Sequence, residues 1–206
     1  MPAKIDEFYN ALVGYIAKLE ARFVAIHIPT NPSDTPDKYE LDVRAYCVLA
    51  HAAFEDFVER VALRVVNSAY DAWLTKRQIN NVLLLLLAWS GQKLKIDDDD
   101  KNPETTCFDY LRPILEEAKD AFARAIHNNH GVSKLYLREL LTPASINLSN
   151  DPNWQNALGK LAEGRGEYAH KGTVKKVMSP EDSKKHVNDV LALCKDIRDK
   201  AKTNII

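Results

Sequence analysis

The chain has 206 residues, of which 46% are hydrophobic and 28% are charged, proportions that are typical of a soluble globular protein and exclude a disordered or fibrous one. Its 28 basic and 29 acidic residues give a formal net charge of -1, so the molecule as a whole has no field that would attract nucleic acid or an anionic membrane. A binding site for a polyanion must therefore be local.

Length, cysteine content and hydropathy predict the organisation of the chain and its compartment. We expect residues 1–206 to form one domain, because this length suffices for one sizeable core. The three cysteines are far apart and lack metal-ligand spacing, which predicts a reducing, cytoplasmic location without a disulfide framework or a zinc site. The amino terminus has no apolar signal core, and the longest apolar run, Val82 to Trp89, is too short to cross a bilayer.

Apolar residues recur at three- and four-residue steps along almost the whole chain, a pattern that predicts helices. The predicted helices cover about residues 5–25, 38–69, 76–89, 106–128, 133–141 and 152–172, and a last helix begins at Ser179. Three prolines between residues 29 and 36 break the chain after the first helix. A run of acids at residues 97–100, followed by Pro103, predicts an exposed loop. The expected fold class is all-α, a bundle of six or seven helices.

The most informative segment is the second half of predicted helix six. Arg165 continues an apolar stripe that runs through Trp154, Leu158 and Leu161, and a guanidinium in such a position needs a partner or a ligand. His170 lies at the predicted helix end, and histidine is the side chain whose ordinary pKa is closest to neutral. Five residues rotate by roughly 140° in a helix, so the two side chains would meet through the helix end or across a partner chain.

An arginine followed after four residues by a histidine, just before the last helix of a bundle, resembles the signature of the HEPN superfamily. Ala169 before the histidine, and Lys171 with Gly172 after it, resemble the branch called RiboL-PSP-HEPN. Residues 44–58, with aromatic and then acidic side chains, resemble the second helix of that branch. The resemblance implies a HEPN-like helical bundle.

The same resemblance implies an enzyme that cleaves RNA without a metal or other cofactor. A ribose 2′-hydroxyl of the RNA would attack the adjacent phosphate and leave a 2′,3′-cyclic phosphate. His170 would transfer protons in this reaction, and Arg165 would bind the phosphate. The family also implies a homodimer that joins two motifs across a two-fold axis. An endoribonuclease of the toxin or phage-defence kind, with a possible antitoxin or regulatory protein as partner, is the resulting hypothesis.

Two glutamates and one arginine are candidate supporting residues. Arg44, His51 and Glu55 follow one another at seven- and four-residue steps, which places them on one stripe of the second helix. Glu55 would orient Arg165 or His170; alternatively, Arg44 and Glu55 lie at the edge of the apolar face and pair with neighbours. Glu167 is either a polar contact within the motif or a solvated helix residue.

Three lysines directly after the histidine are candidate substrate-binding residues. Lys171, Lys175 and Lys176 would guide RNA phosphates, or they are ordinary solubilising surface.

The sequence leaves several alternatives open. Two further arginine–histidine pairs, Arg44 with His51 and Arg124 with His130, fit the permitted spacing. The family usually has a polar residue after the arginine, and here Gly166 stands in that place, so a non-catalytic HEPN module that binds RNA or a protein is the second hypothesis. A third is a bundle without a nucleic-acid function, in which Arg165 and His170 are structural.

Overall fold

A computed structural model describes residues 2–31, 33–93, 106–128, 132–171 and 178–205, and only the backbone of residues 164–171. This part of the chain contains seven α-helices and no β-strand, so the predicted all-α bundle is confirmed. Two short 3-10 helices, Ala25–His27 and Pro36–Lys38, flank the proline-rich break. The α-helices are α1 Pro2–Phe23, α2 Glu40–Lys76, α3 Asn81–Ser90, α4 Cys107–Asn128, α5 Lys134–Leu141, α6 Pro152–Lys171 and α7 Pro180–Thr203.

The boundary between α2 and α3 differs from the prediction. The second helix does not stop at residue 69 but continues to Lys76, because residues 70–76 contain no helix breaker and bury Trp73, which is 2% exposed. It ends where Arg77 adopts a left-handed conformation with φ 57°. The next helix begins later than residue 76, at the point where the Asn80 side chain accepts a hydrogen bond of 3.0 Å from the Leu83 amide.

Helix α2 is the centre of the bundle, and all six other α-helices pack against it. Its buried residues lie on several faces, as expected for a helix that neighbours surround. Buried side chains from all seven helices form one continuous apolar cluster. The largest fully buried side chains of this core include Tyr46, Phe54, Phe57, Phe122 and Leu161.

Helices α1 and α2 run in opposite directions. The Arg60 guanidinium of α2 lies 4.2 Å from the ring centroid of Phe8, near the start of α1. Glu20, near the end of α1, acts electrostatically on Tyr46, near the start of α2. The end of α1 therefore lies beside the beginning of α2.

Helix α7 also runs opposite to α1, and two ion pairs mark the two ends of the bundle. Lys184 Nζ lies 2.8 Å from Glu20 Oε1, and Lys202 Nζ lies 2.7 Å from Asp6 Oδ2. We call the end marked by Glu20 and Lys184, where α2 and α7 begin, the near end. The opposite end, marked by Asp6 and Lys202, is the far end.

Helix α6 leads from the far end towards the near end. Lys200 Nζ donates a hydrogen bond of 2.8 Å to the carbonyl of Asn147, in the loop before α6. Further along α6, Lys160 acts electrostatically on His186 of α7. Because higher residue numbers of α6 meet lower numbers of α7, the two helices are antiparallel, and the last turns of α6 point towards the near end.

Candidate functional site

The arginine–histidine motif lies in the last two turns of α6. The backbone of Arg165 and His170 is helical, and the next helix along the chain is α7, as the sequence analysis expects. The side chains of Arg165, Glu167, His170 and Lys171 lie outside the described part of the structure.

Residues 172–177 are also outside it, so the expected positions of Gly172, Lys175 and Lys176 lie beyond what the structure describes. The structure therefore gives the position of the motif along the backbone of α6, and not the positions of its side chains.

The first half of α6 is held in place by the apolar stripe that the sequence predicts. Trp154 and Leu158 are 2% exposed and Leu161 is fully buried. The Trp154 indole N–H also donates a hydrogen bond of 3.1 Å to Ser149 Oγ, which ties the helix start to the preceding loop. Four residues beyond Leu161, the helix backbone reaches Arg165.

A stripe of polar side chains lies on α2, on a helix that otherwise forms the centre of the core. We call Arg44, His51, Glu55 and Glu59, which follow one another at steps of seven, four and four residues, the α2 polar stripe. His51 is 1% exposed and Glu55 is half-buried. Arg44 forms an ion pair with Glu40, one turn earlier in α2. It therefore pairs with a neighbour, as expected if it lies at the edge of the apolar face.

One member of this stripe, Glu59, and its partner Tyr136 were not among the residues predicted from the sequence. Glu59 Oε1 accepts a hydrogen bond of 2.6 Å from the hydroxyl of Tyr136, which belongs to α5. The four-residue step from Glu55 to Glu59 could have indicated that Glu59 lies on the same stripe of α2. Nothing in the local sequence indicates Tyr136, because the two partners are 77 residues apart.

The two glutamates both act on the phenol of Tyr136. Burial raises the pKa of the Tyr136 phenol, and the hydrogen bond to Glu59, the charge of Glu59 and then that of Glu55 raise it further.

The helix directions bring the α2 polar stripe and the motif helix alongside each other. Helices α2 and α6 pack together, and they are antiparallel, because α2 begins at the near end and α6 at the far end. The start of α2, with Arg44, is therefore closest to the level of the last turns of α6, whereas Glu55 acts on Tyr136 of α5, a helix that meets the first turn of α6. The structure packs the two helices that carry the sequence resemblance against each other.

The two competing arginine–histidine pairs have different surroundings. His51 is almost completely buried and Arg44 is engaged with Glu40, which makes that pair unsuitable for a substrate approaching from solvent. Arg124 lies on the exposed face of α4, with its Nη2 2.5 Å from Glu117 Oε1. Its partner in the motif, His130, lies outside the described residues.

Two properties of the described residues bear on membranes and metals. No described helix combines the length and the apolar character that crossing a bilayer requires. Within the described ranges, no three histidine, cysteine or acidic side chains converge as metal ligands would.

Comparison with known proteins identifies the family of the chain. The family model described as RiboL-PSP-HEPN matches residues 16–203, from the second half of α1 to the last residue of α7. No curated protein and no solved structure matches the chain. The family match covers the central helix α2, the motif helix α6 and the final helix, and the chain therefore belongs to the RiboL-PSP-HEPN family.

Proposed function

We propose that this protein is a metal-independent endoribonuclease of the HEPN type, in which Arg165 and His170 form the reactive centre. The observation that carries the proposal is the family match together with the position of the motif, on the penultimate helix and beside the α2 polar stripe. HEPN domains are generally ribonucleases. A toxin or phage-defence role, with an antitoxin or regulatory protein as partner, is the cellular setting that we propose.

The reaction needs a base, an acid and a cation. A base removes the proton of the ribose 2′-hydroxyl, whose oxygen attacks the adjacent phosphorus, while the bond from phosphorus to the 5′-oxygen breaks. An acid protonates that leaving oxygen, so the products are a 2′,3′-cyclic phosphate and a 5′-hydroxyl. His170 carries the protons, and the Arg165 guanidinium stabilises the negative charge that builds up on the phosphate oxygens.

The α2 polar stripe supports a positioning role for its acidic residues. Glu55 and Glu59 lie on α2, which packs against the motif helix α6. We infer that Glu55 orients Arg165 or His170, because paired hydrogen bonds to a carboxylate hold a guanidinium in one direction. A positioning role predicts that Glu55→Gln, which retains one hydrogen-bonding oxygen, keeps more activity than Glu55→Ala.

A homodimer would complete the chemistry. Two motifs related by a two-fold axis supply two histidines, one as base and one as acid. We propose that the near end of the bundle, to which the last turns of α6 lead, faces the partner. Mixing wild-type and His170→Ala subunits tests this arrangement, because a mixed dimer that holds a single His170 loses cleavage altogether if the two motifs form one centre, but keeps about half of it if each motif works alone.

The non-catalytic module is the second candidate, and one sequence observation favours it. Gly166 replaces the polar residue that usually follows the arginine of the motif. A module of this kind would bind RNA or a protein partner without cleaving RNA.

Cleavage of total RNA and tRNA in excess EDTA tests the proposal. The variants are Arg165→Ala and His170→Ala, and the matched controls are Arg124→Ala and His130→Ala, which disrupt the competing pair. We expect cleavage by the wild-type protein and by both controls, loss with both motif variants, and cyclic phosphate at the product ends. Loss with the Arg124 and His130 variants instead would move the site to α4. Binding of RNA without cleavage by a folded wild-type dimer would favour the non-catalytic module.

A further inference from the structure

A polar cavity lies at the far end of the bundle, away from the arginine–histidine motif. It has a volume of about 430 Å³, within the range of roughly 300–1,000 Å³ that is usual for ligand pockets. Helix α5, the loop of residues 142–150 and the first turn of α6 enclose it. Its polar lining consists mainly of Lys134, Arg138, Asn147, Ser149, Asn150 and Gln155.

The charged groups of this cavity all have one sign. Lys134 and Arg138 are one turn apart on α5 and both line the cavity, whereas no aspartate or glutamate does. Within the described part of the chain, no carboxylate lies within ion-pair distance of either cation. Nearby Lys200, by contrast, is paired with Asp196 at 2.7 Å. The cavity is therefore locally positive on a molecule whose net charge is close to zero.

The uncharged polar groups add hydrogen-bond donors to the two cations. Asn150 Oδ1 accepts from Gln155 Nε2 at 3.3 Å, and Ser149 Oγ accepts from the Trp154 indole at 3.1 Å. Gln155 Oε1 in turn accepts from Lys134 Nζ at 2.7 Å. These bonds occupy acceptors, which leaves the Asn150 amide N–H groups, the Ser149 O–H and the Arg138 guanidinium as donors among the lining residues. Such a lining suits a ligand rich in anionic oxygen atoms.

We propose that this cavity is a binding site for a phosphate ester, which Arg138 and Lys134 contact directly. Gln155 lies ten residues before Arg165 on α6, so the site is about 15 Å along the helix axis from the motif, at a rise of about 1.5 Å per residue. This spacing suits a second contact for an RNA strand whose scissile phosphate is at the motif. The assignment of this phosphate to an RNA strand rests on the proposed ribonuclease function. The binding of a phosphate ester at this site does not.

Binding of an RNA that cannot be cleaved separates this site from the catalytic one. The probe is a short single-stranded 2′-O-methyl RNA, which lacks the attacking hydroxyl, and its affinity is measured by fluorescence anisotropy over a salt series. The test variant is Arg138→Gln. The matched control is Arg112→Gln, which removes the same charge from an exposed arginine of α4. Both positions are exposed, so circular dichroism should show unchanged folding.

We expect Arg138→Gln to weaken RNA binding about tenfold, the effect of losing one charge-assisted hydrogen bond, and to reduce the slope of log affinity against log salt by about 0.7. Arg112→Gln should leave both quantities unchanged. In a second arm, adenosine monophosphate is titrated calorimetrically into the same proteins. Binding of this nucleotide that depends on Arg138, with RNA binding unaffected, would support the phosphate site and assign it to a free nucleotide.

Equal binding of both probes by wild type and Arg138→Gln would overturn the proposal. That result would be independent of the ribonuclease activity, which the 2′-O-methyl RNA does not report. Conversely, RNA binding that depends on Arg138, in a protein that cleaves no RNA, would retain the phosphate site and remove the catalytic proposal.

Discussion

Two buried tyrosines offer a matched test of the polar interactions in the core. Tyr46 is completely buried, and among the described residues its hydroxyl has no hydrogen-bond partner. Burial raises the pKa of this phenol, and the charge of Glu20 adds to the effect. A buried hydroxyl without a partner costs about 1–3 kcal/mol of stability. We expect Tyr46→Phe to raise the free energy of unfolding by about 1 kcal/mol, since the small void left by the oxygen offsets part of the gain.

Tyr136→Phe removes the same atom at a site where the hydroxyl is used. Its bond of 2.6 Å to Glu59 Oε1 involves a charged acceptor, and loss of such a bond costs about 1.5–3 kcal/mol. The two variants should therefore shift stability in opposite directions.

Urea unfolding followed by circular dichroism, at one fixed protein concentration, gives the free energy of unfolding of each variant. Destabilisation by Tyr46→Phe of more than about 1 kcal/mol would refute the reasoning, because it would mean that the hydroxyl has a favourable partner such as a buried water.

Three further predictions concern pH and packing. Burial, and next the charge of Lys185, lower the pKa of His186. The contribution of His186 to stability is therefore present above its ordinary pKa of 6.5 and is lost as the pH falls below that value. In urea unfolding at about pH 7 and pH 5, His186→Gln should lose less stability on acidification than the wild type, and an unchanged loss would contradict this. Hydrogen bonds from the Thr30 hydroxyl and amide lower the pKa of Glu181, which contributes stability above the ordinary pKa of 4.5 that is lost at lower pH. Thr30→Val should therefore lower the melting temperature at neutral pH and have less effect in acid; an equal effect at both would count against the bond. Leu161 is fully buried at the last described turn of the α6 stripe, and Leu161→Ala should cost about 2–5 kcal/mol in the same unfolding assay, whereas a cost below about 1 kcal/mol would mean that α6 is not anchored there.

The sequence by itself predicted most of the helices, because the signals for them are local. The Asp151–Pro152 and Ser179–Pro180 pairs correctly predicted the beginnings of α6 and α7, since a cap residue followed by proline acts within one turn. The motif was likewise recognisable as a short string on one helix. The end of α2 was predicted seven residues too early, because the burial of Trp73 depends on packing against other helices and not on its neighbours in sequence.

The tertiary structure alone decided which distant residues meet. Glu59 and Tyr136 are 77 residues apart, and no periodicity within either helix predicts a bond between them. The far-end cavity likewise needs α5 to be folded back beside the loop before α6, so that Lys134 reaches Gln155. Such contacts depend on the directions in which whole helices pack, and those directions are set by the shared core and not by any single segment.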